Sequence, residues 1–440
     1  MFIFIEVEIF KREFLGKLLM SRAIINNDNK VIISDRSSIK NLILNNKISD
    51  SVLITKDINP RKDLLEYYNF LKSKNFTIIS QDEETGILPD DYSIFSSLRH
   101  GNGEVIEIID YLLCWGDRDF NFFKNKFKKF SHKFINFGSP KIDIMNNEFK
   151  VDNNFLVQNN INKKFILLSY NFMPFYYRPF SERIFLESDR LKERFINFSK
   201  NIFYKESEAL KIMYDFIKLA DYLEKNQDEY EIVIRPHPNF NIEDFSKIMK
   251  NINKKVKVCN EGNLIEFTKN CSSLIYNACS ASLDGSIIGK QIIAFKTKDK
   301  EYFKSDFLNS LGFNCELEKE VLSLIKSKKI KPKSESLIER INFNSSIPKI
   351  RKIIKSLSKN TKKLNINFNK KNIKTLLNIF RLKYLNNKNQ INYTDLKYKG
   401  FDNLNIQRSI NLVNNYNYEE FNHKIKYKLK SKNIILIEKY

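Results

Sequence analysis

The chain lacks the patterns that mark several large classes of protein. Its five cysteines include no Cys-x-x-Cys pair, which argues against a disulfide framework or a zinc site and fits a reducing compartment. No apolar run approaches the roughly 20 residues that cross a bilayer. The first residues, Met1 to Phe14, carry Glu6 and Glu8 and no small-residue cleavage site. We therefore expect a first β-strand over Ile3 to Ile9 and no signal peptide. A helix over Phe14 to Ile25 is predicted to follow.

Several catalytic signatures are also missing. The sequence has no P-loop, no Gly-x-Ser-x-Gly motif, no kinase motif and no internal repeat. Gly101-Asn102-Gly103 predicts a turn and lacks the rest of a Rossmann fingerprint. Asp117-Arg118-Asp119 matches the short acidic pattern of some metal-dependent glycosyltransferases, but helix N-termini favour Asp and a divalent cation usually needs more carboxylates. We expect no metal and no separate cofactor.

Acidic residues are scarce relative to basic ones, 52 against 75, and the formal net charge is +23. One interpretation is a solvated basic surface that reflects a compositional bias; two further ones are a nucleic-acid surface and an anionic membrane surface. The aromatic residues fall in core-like strands and no nucleic-acid-binding module is recognisable, so we expect no nucleic-acid partner. The tail after about residue 345 is especially poor in acids, which favours attraction of that segment to an anionic membrane.

The remaining sequence alternates short apolar runs with amphipathic segments, which predicts an α/β protein with doubly wound, parallel sheets. A chain of 440 residues exceeds one typical core. We predict an N-terminal Rossmann-like domain over 1–151, a polar linker over 152–164 and a second Rossmann-like domain over 165–345, the two facing a cleft. A basic, partly helical extension follows over 346–440.

Two polar segments follow predicted strands of the second domain, where ligands of open α/β sheets bind. We expect the two strands to be neighbours, so that both segments converge on one anion. In Arg235-Pro236-His237-Pro238 the prolines hold the backbone extended, and His237 can donate to a phosphate oxygen or to a leaving group. The alternative is a turn in which His237 bonds to a backbone carbonyl. The second segment is Asn277 to Ser282, where Ser280, Ala281 and Ser282 precede or open a helix; such residues cap helices or hold an anion. We expect Gly285 and Gly289 to let this helix pack closely, and Gly289 also to end it.

An acidic loop follows a predicted strand of the first domain. Asp82, Glu83 and Glu84 lie just before Thr85 and Gly86. A carboxylate at this strand end can accept a proton from an attacking hydroxyl group. The alternative is a solvated acidic loop. We interpret the isolated His100, His132 and His423 as structural or surface residues.

Taken in order, these motifs resemble those of bacterial surface carbohydrate biosynthesis proteins, over roughly residues 1 to 345. The motifs that carry the resemblance are Glu6…Lys11-Arg12-Glu13-Phe14…Leu18-Leu19, Asp82-Glu83-Glu84-x-Gly86, Cys114-Trp115-Gly116, Gly138-Ser139-Pro140-Lys141-Ile142-Asp143 and Arg235-Pro236-His237-Pro238.

The resemblance implies a GT-B glycosyltransferase, similar to bacterial polysialyltransferases and capsule Kdo transferases. It implies that His237 binds the phosphate of a nucleotide-activated donor, with Ser280 and Ser282 beside it. We expect Arg235, Pro238, Asn277 and Ala281 at the same donor-binding site. A carboxylate among Asp82, Glu83 and Glu84 would serve as the base. The related motifs place an acid directly before the glycine, whereas Thr85 intervenes here, so the acting carboxylate stays open.

The implied activity transfers a sugar, from a CMP-linked acidic donor, to a saccharide or lipid-linked acceptor during synthesis of capsule or lipopolysaccharide. We expect the enzyme in the cytoplasm, peripheral to the inner face of the membrane. Two rival activities on the same fold are a CDP-glycerol-type polyol-phosphate transferase and a nucleotide-sugar epimerase or hydrolase. Two non-enzymatic hypotheses are a nucleic-acid-binding protein and a non-catalytic scaffold.

Overall fold

The chain folds into two compact α/β units, Met1–Lys150 with Glu335–Tyr440, and Val151–Ser334. The computed structural model describes residues 1–84, 86, 100–146, 154–170, 195–236, 242–259, 261–296, 306–357, 366, 368, 401–416, 421 and 423–440. The strands there are β1 (Phe2–Glu6), β2 (Lys30–Ser34), β3 (Val52–Thr55), β4 (Thr77–Ser80), β5 (Tyr111–Cys114), β6 (Phe134–Asn136), β7 (Phe165–Tyr170), β8 (Glu231–Ile234), β9 (Lys257–Val258), β10 (Ser273–Asn277), β11 (Gln291–Phe295), β12 (Phe313–Cys315), β13 (Ile425–Ser431) and β14 (Ile434–Lys439).

The helices connect these strands, and those from Glu335 onward belong to the first unit. They are α1 (Phe10–Ile24), α2 (Arg36–Asn46), α3 (Lys62–Ser73), α4 (Glu104–Ile108), α5 (Asp117–Lys126), α6 (Pro140–Asn146), α7 (Asn154–Gln158), α8 (Phe195–Asn226), α9 (Ile242–Ile252), α10 (Leu264–Asn270), α11 (Ala281–Ile288), α12 (Asp306–Ser310), α13 (Glu318–Ser327), α14 (Glu335–Arg340), α15 (Ile347–Leu357) and α16 (Asn403–Asn414), with a 3-10 turn over Lys128–Lys133. Within the described ranges, no helix is both long and apolar enough to cross a bilayer.

The first unit contains an eight-stranded sheet in the order β13-β14-β2-β1-β3-β4-β5-β6. The pairings from β2 to β6 are parallel, and β14 joins β2 antiparallel. Every residue of β1 is buried, as a central strand covered on both faces requires. Because β2 and β3 flank β1, the strand order reverses beside β1, and this reversal is where open α/β sheets bind ligands.

The second unit has a six-stranded sheet in the order β12-β11-β10-β7-β8-β9, with parallel pairing throughout. Its strand order reverses between β7 and β10, as in doubly wound dinucleotide-binding folds. The predicted α/β class with two doubly wound, Rossmann-like units is confirmed.

The carboxy-terminal segment belongs to the first unit in the structure, from Glu335 onward. The sequence placed the start of an extension at residue 346 and left its folding open. Its last residues form the antiparallel β13–β14 hairpin, and Ile434 to Ile437 pair with β2. The apolar patch at these residues is therefore a sheet strand, which covers the edge that β2 would otherwise expose.

The predicted helix from Phe14 begins earlier, at Phe10. The N-cap residue Ile9 has no side-chain cap bond. The Glu13 carboxylate instead accepts a hydrogen bond from the backbone N–H of Glu8, which precedes the helix, at 2.8 Å. Arg12, Glu13 and Lys17 are consequently carried by a helix that leaves the carboxyl end of β1.

Asp143 joins α6 to the returning carboxy-terminal segment. Its Oδ2 accepts hydrogen bonds from the backbone N–H of Ser346 at 2.9 Å and from the Ser346 hydroxyl at 2.6 Å. Burial raises the pKa of the Asp143 carboxyl to about 6, although the bonds from Ser346 oppose the shift. The folded state therefore favours the protonated form, and the stability from this group is lost as pH rises through 6.

We predict that Asp143→Asn removes this loss. Between pH 4 and pH 7, the unfolding free energy of the variant should rise relative to the parent by about 3 kcal/mol, from a shift of about two pKa units. Urea denaturation at each pH measures the difference. Ser346→Ala, which removes a bond that favours the carboxylate, should steepen the dependence of the parent chain. Parallel pH profiles for the parent and Asp143→Asn would contradict the assignment.

Candidate functional site

The carboxyl edge of the first unit holds a network of buried and half-buried ion pairs. Glu6, the last residue of β1, accepts from Arg36 at 3.2 Å, and Arg36 also contacts Asp57 at 3.1 Å. Lys56, which follows β3, pairs with Glu8 and with Glu13. These residues surround the reversal between β1 and β3, so polar chemistry collects where the topology predicts a ligand site.

Glu13 lies at the centre of this network and is 3% exposed. Burial alone raises the pKa of its carboxyl, but Lys56 and Arg12 outweigh burial and hold that pKa below its ordinary value. The carboxylate is therefore ionised and is an acceptor for its neighbours at neutral pH. Sequence reasoning used Arg12 and Glu13 only for the family resemblance and missed their place at the site. Their position in the turn after β1 was the signal for a site role.

The three predicted acids of the Asp82–Glu84 loop have different surroundings. Asp82 is buried, and its Oδ1 accepts from the Glu84 N–H at 3.0 Å, which shapes the loop. Glu83 is nearly buried and pairs with the buried Lys17 at 2.5 Å. Glu84 is 33% exposed in its side chain and contacts Arg12 at 2.9 Å. Glu84 is therefore the most accessible carboxylate of the loop.

Gly86, which ends this loop, lies against the ring of Trp115. A Cβ on Gly86 would lie 2.4 Å from Trp115 Cε3, so a side chain cannot be accommodated without moving the indole. The indole N–H also donates to the Asp82 carbonyl at 2.6 Å. The Cys114-Trp115-Gly116 motif thus fixes the position of the acidic loop. Gly116 itself has the backbone of Arg340 within 2.6 Å of a hypothetical Cβ.

The Asp117-Arg118-Asp119 motif, for which we expected no metal, is arranged as a helix start. Asp117 and Asp119 lie in the first turn of α5, and Asp119 is fully buried with Arg118 at 3.5 Å. The two carboxylates therefore do not present a shared cation site. Across the described residues, no group of three or more His, Cys, Asp or Glu side chains is placed to hold a metal. His100 packs edge-on against Phe123 in the core, as a structural histidine does.

In the second unit, the two polar segments do not follow neighbouring strands, which corrects one expectation. β7 lies between β8, which precedes Arg235, and β10, which precedes Ser280. Strand spacing of about 4.8 Å separates the ends of β8 and β10 by about 10 Å. A single small anion cannot contact both strand ends directly, whereas a ligand of nucleotide size, or side chains that extend from the strands, can.

Arg235 is buried and is directed into the unit. Its guanidinium lies 4.5 Å from the centre of the Phe267 ring, and Nη2 donates to the Gly262 carbonyl at 2.8 Å. Nη1 is buried and has no hydrogen-bond partner within the described ranges. Burial lowers the pKa of Arg235 to about 10. Arg235 therefore holds the strand end in place. His237 and Pro238 lie outside the described residues.

The turn after β10 adopts an unusual backbone conformation. Ala278 has a φ of 41°, in the left-handed region that residues with a side chain rarely adopt. Asn309 Oδ1 accepts the Ala278 N–H at 3.2 Å, and Asn277 Nδ2 donates to the Phe295 and Lys296 carbonyls. The Asn277 Oδ1 is buried without a partner in the part of the chain that is described.

The predicted serines differ in what their hydroxyls do. Ser282 and Ala281 are fully buried, and the Ser282 hydroxyl donates to the Cys279 carbonyl at 2.8 Å. Ser280 has helical backbone angles and makes no side-chain cap bond, so of the two alternatives the capping role does not apply to its hydroxyl. Ser280 is half-buried and follows the strained turn directly. Of the two serines, Ser280 is the one whose hydroxyl a ligand can reach.

The two glycines of α11 were predicted to allow close packing and to end the helix. A Cβ at Gly285 would lie 2.5 Å from Ile292 Cγ2 and 2.9 Å from Leu274 Cδ2, which confirms close packing on β10 and β11. Gly289 has a φ of 78° and forms the helix C-cap, also as predicted. No atom lies within 4 Å of a Cβ at Gly289, so close packing does not require that glycine.

No family model and no curated protein matches the chain. Solved structures that resemble it include the wall teichoic acid polymerase TagF, with 13% identity, a TM-score of 0.47 and coverage of 81% of this chain and 88% of that one. UDP-GlcNAc 2-epimerase from Methanocaldococcus jannaschii has 13% identity, a TM-score of 0.46 and coverage of 82% and 99%. The S. aureus MnaA–UDP co-structure has 12% identity, a TM-score of 0.45 and coverage of 83% and 98%.

We predict that Lys17→Met destabilises the first unit by roughly 3–5 kcal/mol, because it leaves the Glu83 carboxylate buried and unpaired. The double variant Lys17→Met/Glu83→Gln should recover most of that loss. Glu84→Gln, at a partly exposed pair, should cost about 1 kcal/mol or less. Urea denaturation of the parent, of the single variants Lys17→Met and Glu83→Gln, and of the double variant completes a double-mutant cycle. Additive losses from the Lys17 and Glu83 substitutions would show that the two residues are not coupled.

Proposed function

We propose that this protein is a GT-B-type glycosyltransferase of bacterial surface polysaccharide biosynthesis. It transfers a sugar from a nucleotide-activated donor, a CMP-linked acidic sugar, to a saccharide or lipid-linked acceptor at the cytoplasmic face of a membrane. The observation that carries the proposal is the chemistry at the two sheet reversals. One has an accessible carboxylate held by basic groups, and the second has a strained turn with a reachable serine.

In the second unit, the donor nucleotide binds at the carboxyl ends of β7 and β10. Asn277 lies directly beside Tyr170 at this reversal. Its buried Oδ1 and the Ser280 hydroxyl are the polar atoms that face a ligand there, and Ala278 fixes the direction of the chain between them. Arg235 fixes the end of β8, which His237 follows in the sequence, and His237 donates to the donor phosphate. These groups and the start of α11 offset charge on the departing phosphate, so the reaction requires no metal.

In the first unit, Glu84 is the base that accepts the proton of the acceptor hydroxyl. A general base must be reachable by substrate, and Glu84 is the exposed carboxylate of the loop. Glu83 instead forms the buried pair with Lys17 that fixes the loop. Arg12 is placed to stabilise the ionised form of Glu84 and to orient it. Asp82, Trp115 and Gly86 determine where the carboxylate lies.

We predict that CMP raises the melting temperature of the purified chain by mass action, more than CDP, UDP or GDP does at equal concentration. His237→Ala and Ser280→Ala should each reduce this shift, because each removes a group that donates to the nucleotide. Ser327→Ala, on the exposed end of α13, is the matched control and should retain the full shift. A shift with CDP alone would favour the polyol-phosphate transferase, and product formed from donor without acceptor would favour an epimerase or hydrolase.

We predict that Glu84→Gln lowers kcat by about 10²–10⁴-fold, the usual contribution of a positioned base, and leaves the nucleotide-induced thermal shift unchanged. Glu83→Gln should lower thermal stability more than it lowers kcat per folded molecule, because it disrupts the pair with Lys17. Steady-state transfer rates, normalised to the folded fraction, separate the two effects. Equal and mild losses in both variants would remove the loop as the source of the base.

A further inference from the structure

A buried arginine from the carboxy-terminal part of the first unit contacts the loop that carries the candidate base. Arg340 is 1% exposed and is one of the largest side chains that the described residues bury fully. It ends α14, the first helix after the chain re-enters the first unit at Glu335. We call residues 335–349 the returning segment. Neither the sequence motifs nor the proposed transfer reaction gives Arg340 a role.

The guanidinium group of Arg340 is directed at the acidic loop. Its Nη1 donates to the Gly86 carbonyl at 3.4 Å, across a separation of 254 residues in the chain. Its Nε donates to the Ser336 hydroxyl at 3.3 Å, one helical turn earlier on α14. Because the bond to Ser336 restricts the rotamers of a long side chain, the guanidinium is held toward the loop.

The backbone around Arg340 packs against the Cys114-Trp115-Gly116 motif. A Cβ on Gly116 would lie 2.5 Å from the Arg340 carbonyl carbon, so the two backbones are in direct contact. Two residues later, the Asn342 N–H donates to the Trp115 carbonyl at 2.6 Å. The Asn342 side chain also donates to Asn136 Oδ1 at 2.9 Å, at the end of β6. Arg340 is therefore fixed relative to Trp115.

Gly86 is consequently held on two sides. The Trp115 ring lies so close that a Cβ on Gly86 would come within 2.4 Å of Cε3. The same indole donates to the Asp82 carbonyl at 2.6 Å, while Arg340 donates to the Gly86 carbonyl. Both ends of the acidic loop are thus fixed by the same group of residues, and Glu84 lies between those ends.

Packing alone does not explain an arginine at this position. Removing a guanidinium group from water costs several kcal/mol, and an apolar side chain of similar volume often replaces a buried ion without loss of stability. Arginine differs from such a side chain by its planar set of N–H donors. One of these donors binds Gly86, so the contact with the loop is the property that an apolar residue would lose.

We infer that Arg340 is a positioning residue for Glu84, the base of the proposed function. Arg340 holds Gly86 and so keeps the carboxylate of Glu84 at its contact with Arg12. A displacement of about 1 Å at a reacting group can cost about 10²-fold in rate. Arg340 fixes the loop whatever the reaction is, and only the consequence for catalysis rests on the proposed function.

The first test needs no substrate. Trp115 is the single tryptophan of the chain and is 2% exposed, so its emission reports on the loop packed against it. The measurement compares emission wavelength and acrylamide quenching in the parent, Arg340→Met and Arg340→Lys. We expect Arg340→Met to shift the emission to longer wavelength and to increase quenching, because the loop no longer shields the indole. Arg340→Lys keeps one donor group and should give intermediate values.

Lys349→Met is the matched control. Lys349 lies in the returning segment, and its Nζ donates to the Asn136 and Phe137 carbonyls at 2.8 and 3.2 Å, neither of which belongs to the acidic loop. The substitution removes the same charge and should leave the emission of Trp115 at the parental wavelength. Melting temperatures establish which variants are folded. If Arg340→Met does not fold, Arg340→Lys carries the comparison.

The second test measures transfer from a CMP-linked acidic sugar, normalised to the folded fraction. Arg340→Met should lower kcat by about 10²-fold and leave the acceptor KM and the thermal shift with CMP near those of the parent. Arg340→Lys should recover part of the loss. A residue that only stabilises the fold would lower the melting temperature and leave kcat per folded molecule unchanged.

Three outcomes would overturn the inference. Parental emission and quenching in the folded Arg340 variants would show that Arg340 does not fix the loop. An equal change in Lys349→Met would assign the effect to general loosening of the returning segment. Altered emission with parental kcat per folded molecule would separate the loop from Glu84. If the parent neither binds CMP nor transfers sugar, the proposed function fails, and the emission of Trp115 still decides whether Arg340 fixes the loop.

Discussion

Charge buried at the carboxyl edge of the first unit must be paired, and much of the candidate site follows from that constraint. An unpaired ion in a protein interior costs several kcal/mol, so Glu13 and Glu83 hold Lys56 and Lys17 in fixed positions. These pairs fix the start of α1 against the loop after β4. Of the three acids in that loop, Glu84 is the one that keeps a partly exposed carboxylate. The accessible acid is therefore defined by the pairing of its neighbours more than by its own surroundings.

In the second unit, backbone geometry and amide hydrogen bonds hold the candidate site in place, where the first unit uses buried ion pairs. Asn277 ties the end of β10 to the end of β11, and Asn309 binds the strained Ala278. Strain of this kind persists only where surrounding bonds over-determine the conformation, and it is common at functional sites. Together these hydrogen bonds and the conformation of Ala278 place Ser280 and the start of α11 at the reversal between β7 and β10. A polar but uncharged strand end suits an anionic donor, whose charge would be repelled by acids.

The sequence predicted the alternation of strands and helices because parallel strands buried on both faces leave continuous apolar runs. It could not predict strand order, so Arg235 and Ser280 were assigned to neighbouring strands although β7 separates them. Lys17 was missed because its role depends on Glu83, which is far away in the chain. The burial that distinguishes Glu83 from Glu84 is likewise a property of the packed loop, since adjacent acids have the same local sequence.

The carboxy-terminal hairpin shows what composition alone could not predict, namely that part of the basic segment completes the first sheet. Ile434 to Ile437 are buried on β2, while Lys426, Lys428 and Lys430 alternate along the outer strand β13. Lysine on an edge strand discourages pairing with another chain, so its abundance there has a structural cause. The lysines between Phe120 and Phe130 lie on α5 and the turn that follows it, not on an edge strand, and they accompany half-buried aromatic rings. Lysine clusters at the two ends of the sheet therefore lie in different structural settings, an edge strand at one end and a helix with its following turn at the other.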